Sequence, residues 1–171
     1  ISNDPAGELN PDKTFEINHM GRLRVAKLSK EHGVKRYILA SSASIYGQQE
    51  QIADEKSSVN PLTAYSNANR NAEIDTLPLN DDGFTVTILR FSSVYGKSPR
   101  MRFDTAVNRM VLDSFKNNKI FVSSKSNKRP FIHINDVARS YLLAITAKKN
   151  KIGGQIFNVG SENQNYEMGD L

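Results

Sequence analysis

Two hydroxyl side chains, Ser42 and Tyr65, have the types and the placement that proton transfer requires. The apolar run Ile38–Ala40 predicts a buried strand, and Ser41 and Ser42 follow it directly. Tyr65 lies further along the chain, near the start of a predicted helix. In folds built from parallel strands and helices, ligands bind at the carboxyl ends of the strands. A serine hydroxyl and a tyrosine phenol at that edge could together move a proton on a substrate hydroxyl.

The elements that must position these hydroxyls alternate between helix and strand. The predicted helices cover 11–33, 63–77, 104–115 and 135–147, and the predicted strands cover 34–40, 84–90, 120–122 and 155–159. Asn10 or Asp12 is expected to cap the first helix, and residues 1–5 are expected to form a loop. This alternation predicts an α/β fold with a parallel sheet and helices on its faces.

Composition narrows the class of protein. The 171 residues contain no cysteine, which excludes disulfides and thiolate metal sites, and the three histidines lack ligand spacing, so no metal site is expected. The net charge of +5 suits a phosphate-bearing ligand, but aromatic and basic residues do not alternate, so no nucleic-acid partner is expected. The chain has no apolar run of about 20 residues and no secretory pattern after Ile1, so we expect a cytoplasmic protein without a membrane partner.

Five segments follow one another in a recognisable order. They are Asn18–Gly21, Ser41–Gly47, Leu89–Gly96, Arg129–Ala138 and Ile156–Gly160. Together they resemble the motifs of the extended short-chain dehydrogenase/reductases, in the NAD-dependent epimerase/dehydratase family. The resemblance implies a Rossmann-like doubly wound parallel sheet with part of a small substrate-binding region. It also implies NAD or NADP as cofactor, with NAD favoured, and a nucleotide-diphosphate sugar as substrate.

The resemblance further implies roles for individual residues. The implied catalytic residues are Ser42 and Tyr65, the implied cofactor-binding residues are Asn18, Ser41, Tyr65 and Asn69, and the implied substrate-binding residues are Ser93, Arg102 and Arg129. Tyr65 would be the acid/base on the sugar hydroxyl, and Ser42 would hold the reacting oxygen. Arg129 would grip the diphosphate, whereas Arg102 is a candidate on charge and position alone.

The chain departs from the family pattern at three places. Asn69 stands where the family has a lysine that helps to lower the phenol pKa from its ordinary value of about 10. Arg70 is a poor substitute, because it points about 140° away from Tyr65 around a helix. Ala43 and Ser44 replace the Asp-Glu pair of dehydratases, which favours epimerisation or simple oxidoreduction over elimination. No glycine-rich dinucleotide loop occurs in the sequence.

The missing loop indicates how the chain relates to a larger protein. We expect 1–95 to be the second half of a dinucleotide-binding domain and 96–128 to be part of a substrate-binding region. Residues 129–171 would return to the Rossmann sheet and be truncated at the C-terminus. The resemblance implies a protein about twice as long, which forms a homodimer through helices that include the one carrying Tyr65.

Three hypotheses follow for function. The first is an NAD(P)-dependent epimerase or oxidoreductase that acts on a nucleotide-diphosphate sugar by transient hydride transfer, with Tyr65 and Ser42 handling the proton. The second is a catalytically silent nucleotide- or dinucleotide-binding protein of the same fold, which Asn69 favours. The third is a module that pairs with a separate dinucleotide-binding chain. The sequence leaves open which of the three applies, and therefore whether the chain is part of an enzyme.

Overall fold

The computed structural model of the chain describes residues 1–49, 51–122 and 124–171. The helices are α1 (Asp4–Glu8), α2 (Pro11–Phe15), α3 (Arg22–Glu31), α4 (Ala64–Thr76), α5 (Ala106–Asn117), α6 (Ile134–Thr146) and α7 (Lys149–Ile152). The strands are β1 (Arg36–Ser42), β2 (Thr85–Phe91), β3 (Ser93–Tyr95), β4 (Lys128–His133), β5 (Gln155–Val159) and β6 (Asn165–Glu167). A π-helical segment covers Glu16–Gly21, and 3₁₀ turns cover Ala43–Tyr46, Leu77–Leu79 and Glu162–Gln164.

The chain divides into two compact units. The first unit comprises residues 1–90 and 141–158, and the second comprises 91–140 and 159–171. The expected organisation into 1–95, 96–128 and 129–171 refers to a longer protein and stays a prediction.

A three-stranded sheet in the order β1-β2-β5 forms the centre of the first unit. Every residue of β2 is buried, as its central position and its β-branched sequence require. Leu39, Ala72 and Ile88 form a core cluster that joins β1, α4 and β2. The helix α4 packs against β1 and against the 3₁₀ turn that follows it, which brings the two predicted catalytic segments together.

The helical region predicted for 11–33 is present but is not uniform. Asn10 caps α2, since its side chain accepts the Lys13 N–H at 2.9 Å, and Asp12 lies in the first turn. The π-helical segment separates α2 from α3, and such wide turns often occur at functional sites. The helical region ends just before Gly33, which has a φ of +74° and whose N–H donates to the Lys30 carbonyl.

The expectation of a loop over residues 1–5 is wrong for Asp4 and Pro5, which begin α1, whereas residues 1–3 are not helical. Asn3 caps α1 by accepting the Ala6 N–H at 3.0 Å, and a proline occupies its first turn. An Asn-Asp-Pro sequence is typical of a loop and of a helix start alike. The packing of α1 against α4 decides in favour of the helix.

The second unit has its own sheet, in the order β3-β4-β6. Strand β3 pairs in parallel with β4, and β4 pairs in antiparallel with β6. Met110, Phe131 and Met168 form its core cluster. The predicted strand over 120–122 is wrong: Ile120 and Phe121 are exposed and have no strand geometry, although their apolar types favoured a strand.

Candidate active site

Ser42 lies where β1 ends and the 3₁₀ turn begins. Its Oγ accepts the Ser44 N–H at 3.2 Å, so the side chain caps the turn. That bond uses the oxygen as an acceptor and leaves the hydroxyl proton available for donation. Ser42 is half-buried, and its hydroxyl can therefore serve both the turn and a ligand.

A second hydroxyl in the same turn has no hydrogen-bond partner among the described residues. The Oγ of Ser44 is buried and makes no hydrogen bond with any described residue. Leaving such a group unsatisfied costs about 1–3 kcal/mol, so a ligand or water that bonds to it would stabilise the site. Sequence reasoning did not identify Ser44 as a site residue, although it lies two residues after Ser42 in a serine-rich run.

The glycine that ends this turn is required by its geometry. Gly47 has a φ of +66°, and a Cβ at this position would lie 2.1 Å from the Asn60 carbonyl oxygen. The adjacent contact, in which the Asn60 N–H donates to the Ile45 carbonyl at 3.0 Å, closes the loop onto the turn. Gly47 therefore allows the long loop after the turn to return close to β1.

Tyr65 is the second residue of α4, and several residues fix the start of that helix. Thr63 and Ser66 form a capping box, in which each side chain accepts the backbone N–H of the other. Gly7 of α1 packs directly on Tyr65, because a Cβ on Gly7 would lie 2.8 Å from the Tyr65 Cβ. Tyr65 is half-buried and held at its backbone, which confirms that it opens the helix predicted for 63–77.

Two carboxylates of α1 complete the helix start. Asp4 accepts a hydrogen bond from the Thr63 hydroxyl at 2.5 Å, and Glu8 accepts the Ala64 N–H at 2.5 Å. Negative charge at a helix N-terminus is favourable, since it faces the positive end of the helix dipole. These carboxylates stabilise the helix that carries Tyr65 and place negative charge near it.

A buried polar network lies beneath the turn. The Ser41 hydroxyl donates to Glu73 at 2.6 Å, and Glu73 receives two hydrogen bonds from Arg90 at 2.9 and 2.7 Å. Burial acts to lower the pKa of Arg90, but Glu73 and the Tyr46 hydroxyl raise it above its ordinary value. The Tyr46 hydroxyl accepts from Arg90 and donates to Asn158. The predicted contact of Ser41 with a cofactor stays a prediction.

The structure places Asn18 and Asn69 in buried positions. Asn18 lies in the π-helical segment, where its amide oxygen accepts from the Ile1 amine and its nitrogen donates to the Ile1 carbonyl. Asn69 is 0% exposed; its oxygen accepts from Arg22 at 2.5 Å, and its nitrogen donates to the Tyr65 carbonyl at 2.8 Å. Their predicted contacts with a cofactor stay predictions. No pattern of sequence spacing pairs Arg22 with Asn69.

The predicted substrate-binding residues belong to the second unit. Ser93 begins β3 opposite Phe131, and Arg102 forms a two-point contact with Asp104 at 3.0 and 2.5 Å. Arg129 is an exposed residue of β4, opposite Tyr166, and no described carboxylate forms an ion pair with it. Its guanidinium is therefore available to an anionic ligand, whereas that of Arg102 already holds a carboxylate.

The described residues contain neither a cluster of metal ligands nor a helix that could span a membrane. Within 1–49, 51–122 and 124–171, no three histidine, aspartate or glutamate side chains cluster as metal ligands. None of the helices in the described part of the chain combines the length and apolar character that a bilayer span requires.

Comparisons with known proteins give separate evidence on the family and the fold of the chain. The profile of the NAD dependent epimerase/dehydratase family matches residues 1–160. The UDP-glucuronate 4-epimerase of Thermodesulfobacterium geofontis is 28% identical over 154 residues, which cover 88% of this chain and 46% of that protein. The UDP-glucuronic acid 4-epimerase from Bacillus cereus, solved with UDP-glucuronic acid and NAD, is 26% identical with a TM-score of 0.74. That alignment covers 85% of this chain and 46% of the solved chain.

A third protein is similar in fold. TunA, an NAD-dependent NDP-hexosamine 5,6-dehydratase of tunicamycin biosynthesis, has a TM-score of 0.84 at 23% identity, over 99% of this chain and 55% of its own. These likenesses confirm the predicted Rossmann-like α/β fold with parallel strands. The chain spans about half the length of the proteins it matches.

Proposed function

The chain belongs to the NAD-dependent epimerase/dehydratase family, and we propose that it forms part of an NAD(P)-dependent epimerase or oxidoreductase acting on a nucleotide-diphosphate sugar. Membership confirms the family that the sequence motifs predict. The reaction and the substrate are proposals, because the chain spans about half the length of the relatives it matches.

One observation carries the proposal. Ser42 and Tyr65 lie on adjoining elements, at the end of β1 and in the first turn of the helix that packs on it. Both are half-buried, so each can be held by the protein and still reach a ligand. We infer that the Tyr65 phenol takes a proton from the sugar hydroxyl and returns it, while the Ser42 hydroxyl holds the reacting oxygen by a hydrogen bond.

The residues at this edge fit the reacting end of a cofactor and sugar. Ser42 and Tyr65 offer hydroxyls, and the Ser44 hydroxyl, which bonds to no residue that the structure describes, provides a third polar group for a ligand. NAD, when bound, supplies the transient oxidation of a sugar carbon. Neither Ala43 nor Ser44 can act as a carboxylate acid or base, which supports epimerisation or simple oxidoreduction rather than elimination.

The substrate class rests on charge and on the relatives. The exposed Arg129 can bind a diphosphate through its planar guanidinium, and Arg102 and Ser93 are further candidates in the same unit. The Bacillus cereus protein was solved with UDP-glucuronic acid, and the Thermodesulfobacterium protein is a UDP-glucuronate epimerase. We therefore propose UDP-linked sugars as the first substrates to test.

Turnover by the full-length protein tests the proposal. The protein would be incubated with NAD and UDP-glucose or UDP-glucuronic acid, and the products separated by chromatography. Tyr65→Phe is expected to lower kcat by about 10²–10⁴, which is the usual contribution of an acid/base group. The matched control is Tyr166→Phe, which removes an exposed phenol of the second unit and should leave kcat unchanged. Equal kcat in Tyr65→Phe and the wild type would overturn the proposed role.

The second candidate function is a silent nucleotide-binding protein of the same fold. Asn69 favours it, because no amine lies at this position to act on Tyr65. Tight UDP-sugar binding without turnover on any tested sugar would support this candidate. Pairing of two copies through α4, which the resemblance implies, stays a prediction.

A further inference from the structure

The 3₁₀ turn that follows Ser42 is held in place through the hydroxyl of its last residue, Tyr46. That hydroxyl accepts a hydrogen bond from Arg90 at 2.8 Å and donates one to the side-chain oxygen of Asn158 at 2.7 Å. Tyr46 and Arg90 are both buried. Because Arg90 belongs to β2 and Asn158 to β5, the hydroxyl links the turn after β1 to the other two strands of the sheet.

Asn158 also binds the loop that follows the turn, residues 48–49 and 51–60, which we call the post-turn loop. Its side-chain nitrogen donates to the Ala53 carbonyl at 3.3 Å, and its backbone N–H donates to the Glu55 carboxylate at 2.7 Å. An asparagine amide can accept and donate at the same time, and this one does both. Asn158 therefore joins the hydroxyl of Tyr46 to the post-turn loop.

The post-turn loop bonds in addition to the backbone of the turn. The Asn60 N–H donates to the Ile45 carbonyl at 3.0 Å, and the Gln49 side chain donates to the Tyr46 carbonyl at 2.6 Å. The loop is thus attached to the turn near both of its ends, and to Asn158 between them. These bonds fix the turn from its backbone and from its terminal side chain.

The attachment matters because the turn determines where the Ser42 oxygen lies. That oxygen accepts the Ser44 N–H at 3.2 Å, so a movement of the turn also moves the hydrogen bond that orients Ser42. A displacement of about 1 Å at a reacting group can reduce a rate by about a hundredfold. Residues that do not touch a substrate can therefore control the rate by holding such a turn.

We propose that Asn158 and Glu55 are positioning residues, which hold Tyr46 and the post-turn loop so that the turn keeps Ser42 in place for reaction. The inference rests on the proposed function for its effect on catalysis, whereas the attachment of the turn is a property of the folded chain. Because the two residues act through the turn and not on the substrate, their loss should lower kcat and leave KM unchanged.

Hydrogen exchange and steady-state kinetics of the full-length protein test the proposal together. Asn158→Ala removes both the acceptor of the Tyr46 hydroxyl and the side-chain donor to the loop. The amides of residues 42–47, followed by mass spectrometry, should exchange about tenfold faster, which is the equilibrium equivalent of one strong hydrogen bond. With NAD and UDP-glucose, kcat should fall by about ten- to a hundredfold. Gln51→Ala, an exposed change in the same loop, is the matched control and should alter neither value.

A second variant tests the proposal if Asn158→Ala does not fold. Glu55 is exposed, so Glu55→Ala removes the bond to the Asn158 N–H without opening the core. It should also speed exchange of the turn and lower kcat at unchanged KM. Glu55→Gln keeps an acceptor oxygen and should restore most of both values. Kinetics are measured at a temperature at which each variant is fully folded, so that kcat reports the turn and not the amount of folded protein.

The outcomes separate this inference from the proposed function. Faster exchange of the turn in a protein that turns over no sugar supports the attachment and contradicts the enzyme. Turnover with unchanged exchange and unchanged kcat in the variants supports the enzyme and overturns the inference. A raised KM at unchanged kcat also overturns it, because the loop would then act on substrate binding and not through Ser42.

Discussion

The first unit contains a buried network of hydrogen-bonded side chains beside its candidate residues, whereas the second unit has a candidate residue, Arg129, that is exposed. The Ser41 hydroxyl donates to Glu73, and the side chains of the Glu73–Arg90 pair are only 1% and 2% exposed. Arg129 is an exposed residue of β4, and Arg102 binds the partly exposed carboxylate of Asp104, two residues away.

The difference separates two tasks. Proton transfer requires groups fixed to within a fraction of an ångström, and a rigid network provides that precision. Binding a diphosphate requires charge and reach, which a solvated arginine provides without prior burial. Substitutions in the first unit should therefore reduce stability as well as function, while those in the second should reduce binding alone.

The largest expected effect is at Glu73. Glu73→Gln leaves the buried Arg90 without its counter-charge, and breaking a buried ion pair costs about 3–5 kcal/mol of unfolding free energy. Urea denaturation followed by circular dichroism measures the loss. The matched control is Asp75→Asn on the same helix, whose pair with His19 is partly exposed and should cost less than about 1 kcal/mol. Equal losses in the two variants would contradict the importance given to the buried network.

A smaller effect is expected where α1 meets Tyr65. Gly7→Ala forces a methyl group to within 2.8 Å of the Tyr65 Cβ, and overpacking of this kind costs about 1–3 kcal/mol. Alanine gains about 1 kcal/mol over glycine within a helix, so the expected net loss is about 1 kcal/mol. Thermal unfolding measures it. Gly83→Ala is the control, because its nearest neighbour would be Asp81 at 3.5 Å, an ordinary contact. A Gly7→Ala variant as stable as this control would show that α1 can shift away from Tyr65 at little cost in unfolding free energy.

The sequence predicts the frame of the first unit well, because its signals are local. Asn10 caps a helix where expected, the helix predicted for 63–77 is observed as Ala64–Thr76, and β2 and β5 lie within one residue of their predicted bounds. The connections between distant residues could not be predicted. The contact of Arg22 with Asn69 joins positions 47 residues apart, and only the packing of α3 on α4 creates it.

The second unit is harder to predict, because its short strands depend on contacts between distant residues rather than on local sequence signals. The strands β3 and β6 have three residues each, too few for an alternating pattern to stand out. Ile120 and Phe121 have strand-forming side chains, but a strand also needs a partner, and partners are set by the tertiary fold.

Alkaline pH should destabilise the first unit because of two half-buried phenols, those of Tyr37 and Tyr141. Burial raises the pKa of Tyr37 and Tyr141 above the ordinary value, and Arg22 only partly opposes it. The folded state therefore keeps these protons at a pH where the unfolded chain has released them, and stability falls as pH rises above about 10. The Tyr37→Phe/Tyr141→Phe variant should lose less unfolding free energy between pH 9 and 11 than the wild type. Tyr166→Phe is the control, and a wild-type slope in the double variant would contradict this explanation.

The smallest effect on stability is expected at Arg129, and it tests the other half of the comparison. Arg129→Ala should change the unfolding free energy by less than about 0.5 kcal/mol, because the side chain is exposed and has no paired carboxylate in the described chain. It should nevertheless weaken UDP binding by about tenfold or more in calorimetry, the usual value of a charge-assisted hydrogen bond. Lys128→Ala is the matched control. Lys128 precedes Arg129 in β4, so its charged side chain points to the opposite face of the strand, and its removal should leave UDP binding unchanged.

The two measurements on Arg129→Ala separate the possible errors. A loss of more than about 1 kcal/mol in stability would mean that the second unit also depends on its arginines for folding, and the contrast between the units would fail. Unchanged UDP affinity with unchanged stability would leave the contrast intact but remove Arg129 from the binding site. Since the second unit is expected to fold without Arg129, a change in affinity there can be read as a change in binding alone, which is not possible for Glu73 or Gly7.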